Sequence, residues 1–379
     1  MTADNRIPFN RPSLAGDELA HVEEAVLSGQ LSGDGPMGGR CEELLSEGLA
    51  ARVMLAPSAT QALEISALLL DMEPGAEVIC PSFTHPSSIN AFVVHGARPA
   101  FCEIRSDTLN LDERMIEERI GERTAAIVCT HYAGVACEME ELTGIAERRG
   151  VALVEDNAHG LFGTYRERPL GSFGRFAALS FHETKNVTSG EGGALVLNRA
   201  EDVARAEVIR HKGTNRAAFF RGEVGVYEWT DVGSSYLLSE LQAAFLLGQL
   251  QQRDTLQARR RRIWDRYAEE LSEWADRHGV ALPDVPADRR HPAHLFHLRL
   301  TGRGERDSLI EHLSSRGIHA VFHFQPLHLS PMGRRLDPDC PGLPVTEAAA
   351  AGLVRLPLFS SLTEDEQSRV IKAVTEFSP

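Results

Sequence analysis

From about residue 50 to 200, short apolar runs alternate with longer stretches in which apolar positions recur every three to four residues. Val53-Met54-Leu55, Glu77-Val78-Ile79-Cys80, Pro99-Ala100-Phe101 and Ala125-Ala126-Ile127-Val128-Cys129 are predicted strands. Val151-Ala152-Leu153-Val154, Ala177-Ala178-Leu179-Ser180 and Ala194-Leu195-Val196-Leu197 continue the series. Helical patterns such as Gln61 to Leu70 and Glu138 to Arg149 separate most of them. Strands apolar at nearly every position suit a sheet covered on both faces, so the pattern predicts an α/β unit with a largely parallel, buried sheet. Ligands of such sheets gather at the carboxyl ends of the strands.

A helical stretch from about Ser235 to Glu273, broken near Asp254, follows this unit. Pro283, Pro286 and Pro292 then punctuate a loop, and His297-Leu298-Arg299-Leu300 reads as a strand. Thr363-Glu364-Asp365-Glu366 has the form of a capping box opening a last helix. Chains above about 250–300 residues usually divide their core, and this one has 379. The pattern places a large domain over residues 1–254 and a smaller α+β domain over 255–379.

Hydrophobic residues at 42% and charged residues at 25% are ordinary for a globular protein, which argues against disorder. The formal net charge of −15 argues against nucleic acid or an anionic bilayer as partner. The six cysteines (Cys41, Cys80, Cys102, Cys129, Cys137, Cys340) form no C-x-x-C pair, so neither a metal site nor a disulfide framework is expected. Met1 to Arg6 lacks the apolar core of a signal peptide, and runs such as Ala67 to Leu70 are too short to span a membrane. A reduced, cytoplasmic protein is the expectation.

Gly33-Asp34-Gly35-Pro36-Met37-Gly38 matches the dinucleotide pattern G-x-G-x-x-G, but a helix-like segment, Asp17 to Ser28, precedes it where a strand is required. It reads instead as a flexible glycine-rich loop. Other signals fall at strand ends. Val151 to Val154 runs into Glu155-Asp156-Asn157-Ala158-His159, a carboxylate pair at a strand's carboxyl end. Ser180-Phe181-His182-Glu183-Thr184-Lys185-Asn186 follows the next strand and precedes Gly190-Glu191-Gly192-Gly193.

Lysine is rare here: only Lys185, Lys212 and Lys372 among 39 basic residues. At an ordinary pKa a lysine is neutral only about 0.04% of the time at pH 7, so neutralising it costs roughly 4.6 kcal/mol. An imine with an aldehyde cofactor puts such an amine to chemical use. Ser58-Ala59-Thr60 opens a helix after Val53-Met54-Leu55, a place where helix amides can hold a phosphate. Lysine, carboxylate and phosphate cradle together specify pyridoxal 5′-phosphate (PLP), whose pyridine nitrogen needs an acidic partner. Phe83 or His85 offers a flat group against the ring.

With these residues in place, the chain resembles the DegT-like nucleotide-sugar aminotransferases over essentially its whole length. The likeness rests on Ile7-Pro8-Phe9-Asn10, His131-Tyr132-Ala133-Gly134, Glu155 to His159, Ser180 to Asn186 and Gly190 to Gly193. Lys212 to Arg216, Phe219 to Gly222, Tyr227 to Asp231 and Gly233 to Tyr236 resemble the branch that aminates C4 of dTDP-4-keto-6-deoxyglucose. The resemblance implies the PLP-dependent fold type I (aspartate-aminotransferase-like), with glutamate as amino donor and dTDP-4-amino-4,6-dideoxygalactose or its glucose epimer as product. It also implies a homodimer with shared active sites.

Carried over by position, Lys185 bonds the cofactor's aldehyde, Asp156 pairs with the pyridine nitrogen and His159 contacts the ring's 3-oxygen. Ser58, Ala59, Thr60 and Ser180 bind the phosphate. His85 stands where most relatives have a stacking aromatic, and Ser235 where many supply an asparagine from the neighbouring subunit. Arg216, Arg221 and His323 are expected to touch the nucleotide-sugar. Three rival readings are another reaction on the same scaffold (a C3 nucleotide-sugar aminotransferase or a sugar dehydratase), a non-catalytic PLP-fold regulatory or binding protein, and an NAD-dependent sugar dehydrogenase. The dehydratase branch replaces the lysine with histidine, and a non-catalytic protein would have eroded Lys185, Asp156 or the phosphate turn. An NAD-dependent dehydrogenase rests only on the loop at 33–38.

Overall fold

The computed structural model describes residues 6–379; Met1 to Asn5, part of the segment read above for a leader, lie outside the described residues. The first strands are β1 (Arg52–Ala56), β2 (Glu77–Pro81), β3 (Arg98–Cys102), β4 (Thr124–Thr130) and β5 (Ala152–Asp156). β6 (Thr164–Tyr165) and β7 (Arg168–Pro169) form a small hairpin, after which β8 (Phe176–Ser180) and β9 (Gly193–Leu197) rejoin the main sheet. That sheet has seven strands in the order β1-β9-β8-β5-β4-β2-β3. Neighbours from β3 to β8 pair parallel, and β9 is antiparallel to both β8 and β1.

Side chains alternate between the two faces of a strand, and the cores divide accordingly. Met54, Ala56, Val78, Cys80, Val128, Val154, Ala178 and Leu195 face the helix Ala59–Leu69. Val53, Leu55, Ala177, Leu179, Ala194 and Val196 face the helices Pro36–Leu49 and Glu240–Gln251. Ile79, Ile127, Cys129 and Leu153 meet the helix Met139–Arg149. Helices on both faces explain why the strands read as continuous apolar runs.

A second core forms around the helix Arg253–His278. β10 (Arg289–Arg290) pairs with β6, while β11 (Phe296–Arg299), β12 (Val321–Phe322) and β13 (Leu353–Leu356) make an antiparallel sheet ordered β11-β13-β12. The helices Arg303–Ser315 and Glu364–Thr375 cover it, the latter opened by the Thr363–Glu366 capping box. Among the described residues no helix is long and apolar enough to cross a membrane.

Two expectations need correction. The helical stretch read from about Ser235 begins at Glu240, because the Ser239 hydroxyl caps it by accepting from the Gln242 amide, and the break read near Asp254 falls at Gln252. The 33–38 segment is also no loose loop. Gly35 caps the helix Pro36–Leu49, and the buried Glu240 carboxylate accepts from the amides of Gly35 (3.1 Å), Met37 (2.8 Å) and Gly38 (2.9 Å). A Cβ on Gly35 would sit 2.4 Å from that carboxylate, so this glycine admits an acid to a helix N-terminus.

Removing that carboxylate strands three sealed amide donors. Glu240→Ala is expected to destabilise the protein by about 3 kcal/mol, read as a lower midpoint in urea unfolding. A loss under about 0.5 kcal/mol would show that water replaces the carboxylate freely.

Candidate active site

Sheet register sets one row of residues along the carboxyl rim. Thr130 lies beside Asp156, Asp156 beside Ala178, and Ser180 beside Gly193, which in turn pairs with Ala56. These rim positions and the segments leading from them line a cavity of about 410 Å³. The segments around β11, β12 and β13 supply its other wall through His294, Leu295, His323, Phe324 and Arg355.

Adjacent carboxylates at the end of β5 do unrelated work because they face opposite sides of the sheet. Glu155, fully buried, accepts from the amides of Gly171 (2.8 Å), Phe173 (2.8 Å) and Gly174 (2.7 Å) and pairs with His131 Nε2 at 3.0 Å. It holds the loop before β8. Asp156 faces the cavity: Oδ2 accepts from Ser88 Oγ at 2.5 Å and Oδ1 from the Ala158 amide at 3.1 Å. Ser88 Oγ meets Thr84 Oγ1 at 2.7 Å, which meets Thr130 Oγ1 at 2.9 Å. Each hydroxyl has a single proton, so the chain must donate in one direction, Thr130 to Thr84 to Ser88 to Asp156.

Lys185 follows a turn closed by its own amide donating to the His182 carbonyl at 2.9 Å. Burial pushes its amine down to about 8; the Arg355 charge adds to this and the Asp156 charge opposes it. His159, His294 and His323 stand well below the usual histidine range, chiefly from burial and also from the positive charges of Lys185 and Arg355. Asn186 Nδ2 donates to Gln257 Oε1 and to the Pro292 carbonyl, so its Oδ1 must face His294 Nδ1 at 2.9 Å. The proton of neutral His294 is thereby placed on Nδ1. Its ring stacks on His159 with centroids 4.2 Å apart, and His159 Nδ1 is buried without a partner.

At the other end of the cavity the helix Ala59–Leu69 points its first turn inward. Ser58 Oγ caps it, accepting from the Gln61 amide at 3.2 Å, and Thr60 Oγ1 donates to Ser87 Oγ at 2.9 Å. The amides of the first turn have no acceptor within the helix. Gly193 is what lets β9 start against this turn: a Cβ there would lie 2.3 Å from the Ser58 carbonyl carbon and 2.4 Å from the Ala59 nitrogen.

Ser58, Ala59, Thr60, His85, Asp156, His159, Ser180, Lys185 and His323 all line this one cavity. Ser235, Arg216 and Arg221 do not. Ser235 is exposed and bridges to the His211 backbone. Arg216 lies over the Phe220 ring, and Arg221 pairs with Glu207 and Glu223 on the rim of a second hollow beside Asp34 and Arg210. Sequence reasoning missed Ser88, Thr84 and Thr130, which look like ordinary hydroxyls of a helix start, a loop and a strand end. It also missed His294 and Arg355; the one signal was an arginine interrupting the apolar run Leu353-Val354-Arg355-Leu356.

The chain belongs to the DegT/DnrJ/EryC1/StrS aminotransferase family, which matches residues 12–375. It is thus a PLP-dependent sugar aminotransferase. The aminotransferase TlmJ from Streptoalloteichus hindustanus is 30% identical with a TM-score of 0.89, the match covering 98% of each chain. DesV from S. venezuelae is 31% identical with a TM-score of 0.85, over 96% of this chain and 95% of that one. The putative sugar aminotransferase Spr1654 from Streptococcus pneumoniae, in a PLP form, is 26% identical with a TM-score of 0.90 over 98% of each chain.

The residues present fit that cofactor. A depressed lysine amine, a buried carboxylate, an open helix N-terminus and an orphaned imidazole nitrogen on His159 converge on one cavity. A lysine titrating near 8 makes a testable difference. Its neutral, nucleophilic form dominates above that pH, whereas an ordinary lysine stays protonated beyond pH 10. The rate at which ligand-free protein takes up pyridoxal phosphate should rise to a plateau with a midpoint near 8. A rate still climbing tenfold per unit at pH 10 would refute the depressed amine.

Proposed function

We propose that the chain transfers an amino group from L-glutamate to C4 of dTDP-4-keto-6-deoxy-D-glucose, giving dTDP-4-amino-4,6-dideoxy-D-galactose or its D-glucose epimer. The observation that carries the cofactor-centred part is the convergence of Lys185, Asp156 and the 58–60 turn on one cavity. The acceptor rests on the motifs of the 212–236 segment, which resemble the C4-aminating branch. Cationic groups from Lys185 and Arg355 in the same cavity suit two substrates that are both anions.

In this reading Lys185 is the covalent attachment point and later the proton carrier. Bound PLP supplies the electron sink that makes a carbon acid of the donor. Lys185 Nζ takes the proton from the donor's α-carbon and, in the second half, delivers one to the sugar carbon, steps worth about 10²–10⁴ in rate. Asp156, aimed by Ser88 and Ala158, faces the pyridine nitrogen. Ser58, Ala59, Thr60 and Ser180 hold the phosphate, His85 lies against the ring, and His159 offers its free nitrogen to the 3-oxygen. His323, with Arg216 and Arg221, is assigned to the nucleotide-sugar.

Ser235, Arg216 and Arg221 can serve only if a second copy brings them to its partner's cavity. The reading therefore includes a homodimer with shared sites. The exposed Phe220, Val226, Tyr227 and Trp229 of the same segment support it, since a patch of this kind marks an interface. The reading also includes a cytoplasmic setting and a division into a large cofactor-binding unit, 1–254, and a small unit, 255–379.

Incubation with dTDP-4-keto-6-deoxyglucose, glutamate and PLP, followed by NMR, decides the acceptor. An aminated sugar is expected, with a small H3–H4 coupling for axial nitrogen or a large one for equatorial. Lys185→Ala should lose the visible absorption band of the loaded protein and lower transfer by about 10⁴. Wild-type protein that charges with glutamate yet leaves this sugar untouched would move the proposal to another ketosugar.

A further inference from the structure

We infer that Cys129 and Cys137 form a redox-modification site, a thiol pair that hydrogen peroxide converts to a disulfide behind the strand end that carries Asp156. Cys129 belongs to β4, and the turn at Tyr132–Gly134 folds the chain back to set Cys137 against it. Both are free thiols, buried in the apolar core that Met139 and Leu142 share. The two sulfurs and a ring nitrogen of His131 all lie within 4.8 Å of one another. Spacing along the chain hides this pair, because the turn makes the contact and no C-x-x-C motif announces it.

The histidine has its own orienting acid. Glu155 accepts from three amides and from His131 Nε2, so the proton of the neutral imidazole sits on Nε2 and Nδ1 is left as the acceptor. Nδ1 takes the Cys137 amide at 3.2 Å, which holds the ring beside the Cys137 side chain. Thiol, imidazole and carboxylate in this order are the parts of an activated nucleophile. The Cys129 thiol donates to the Cys137 sulfur, and Cys137 Sγ lies 3.3 Å from the Thr130 carbonyl oxygen. Burial raises the Cys137 thiol, but the Cys129 hydrogen bond and the His131 charge outweigh it and hold that thiol below its usual range. The same hydrogen bond, with burial, pushes the Cys129 thiol up. Cys137 is therefore the attacking sulfur and Cys129 the resolving one.

Burial selects the oxidant. Neither sulfur is exposed, so a tripeptide disulfide such as oxidised glutathione cannot bring its own sulfur into line. Hydrogen peroxide is uncharged and close to water in size, and local opening admits it. Cys137 Sγ attacks one peroxide oxygen, the O–O bond breaks, and the thiol proton, relayed by His131 Nδ1, leaves with the departing oxygen as water. Cys137 is then a sulfenic acid. Cys129 Sγ attacks that sulfur, the S–O bond breaks, and the Cys129 proton leaves with the hydroxyl as a second water. Two thiols lose two electrons and two protons, and one peroxide becomes two waters. Strand register sets Cys129 beside Glu155 and Thr130 beside Asp156, so the new bond lies one residue from the chain of hydroxyls that ends on Asp156.

The test treats PLP-loaded protein with hydrogen peroxide, blocks the remaining thiols and maps the peptides by mass. All samples carry Cys340→Ala, which removes the one cysteine that is not buried. A disulfide joining Cys129 to Cys137 is expected, lighter than the reduced pair by its two hydrogens. Cys41 is the internal control: it is equally sealed and donates to a carbonyl at the same 3.3 Å, yet carboxylates surround it. Cys137 should react at least about tenfold faster than Cys41, the effect of one unit of thiol acidity. In Cys129→Ala the reaction should stop at the sulfenic or sulfinic acid of Cys137, read as added oxygen. In Cys137→Ala, Cys129 should stay reduced at the same dose. Oxidised glutathione should leave the folded protein unchanged.

A Cys137 that oxidises no faster than Cys41, with no bond to Cys129, overturns the site. Added oxygen on Cys129 in Cys137→Ala, with Cys137 inert in Cys129→Ala, overturns the roles given to the two sulfurs and to His131. Rapid disulfide formation with oxidised glutathione would show the pair open to bulky reagents and remove the small-oxidant claim. None of these outcomes depends on which donor or ketosugar the protein accepts, so a failure here leaves the proposed reaction standing.

Discussion

The constraint on which the site depends is a half-buried lysine amine held between unlike charges. Asp156 stabilises its ammonium form and Arg355 destabilises it, while burial favours the neutral form. Neither neighbour can be moved independently, because each is fixed by a sheet. Asp156 ends β5 at the centre of the seven-stranded sheet, and Arg355 sits in the middle strand of the small one.

Around that amine the protein uses carboxylates as backbone clamps. Glu155 gathers three amides and an imidazole beneath the rim, and Glu240 gathers three amides at the start of the helix Pro36–Leu49. Glu18 does the same on a smaller scale for Ala15 and Gly16. Each replaces water at donors that burial would leave orphaned. Asp156 is the exception: it has one backbone amide and a chain of hydroxyls, which leaves it free to face a ligand. One strand end therefore carries a structural acid and a chemical acid on adjacent residues, distinguished only by which face of the sheet they take.

The fold was readable because its strands are apolar at nearly every position and most of its helices are not. Lys185, Asp156 and the 58–60 turn were readable because strand ends are where a parallel sheet exposes chemistry. The Thr130–Thr84–Ser88 relay was hidden, since it joins the segment after β2 to the end of β4, whose proximity depends on the strand order. Arg355 was hidden for the same reason: nothing local tells a reader that the small sheet turns its middle strand toward Lys185. The glycine loop misled in the opposite sense, because the acid that organises it lies some two hundred residues away, at Glu240.

Those failures share a cause that bears on how the site is assembled. The large sheet supplies the 58–60 turn, Asp156 and Lys185 from one rim of the cavity. What the small-sheet side adds is Arg355 and two histidines, His294 and His323, whose protonation burial and nearby cations disfavour. Groups that hold a cofactor permanently can sit on one rigid element. Groups that must receive two different substrates in turn gain from lying on the opposite wall, where a small shift of one core against the other can admit and release them.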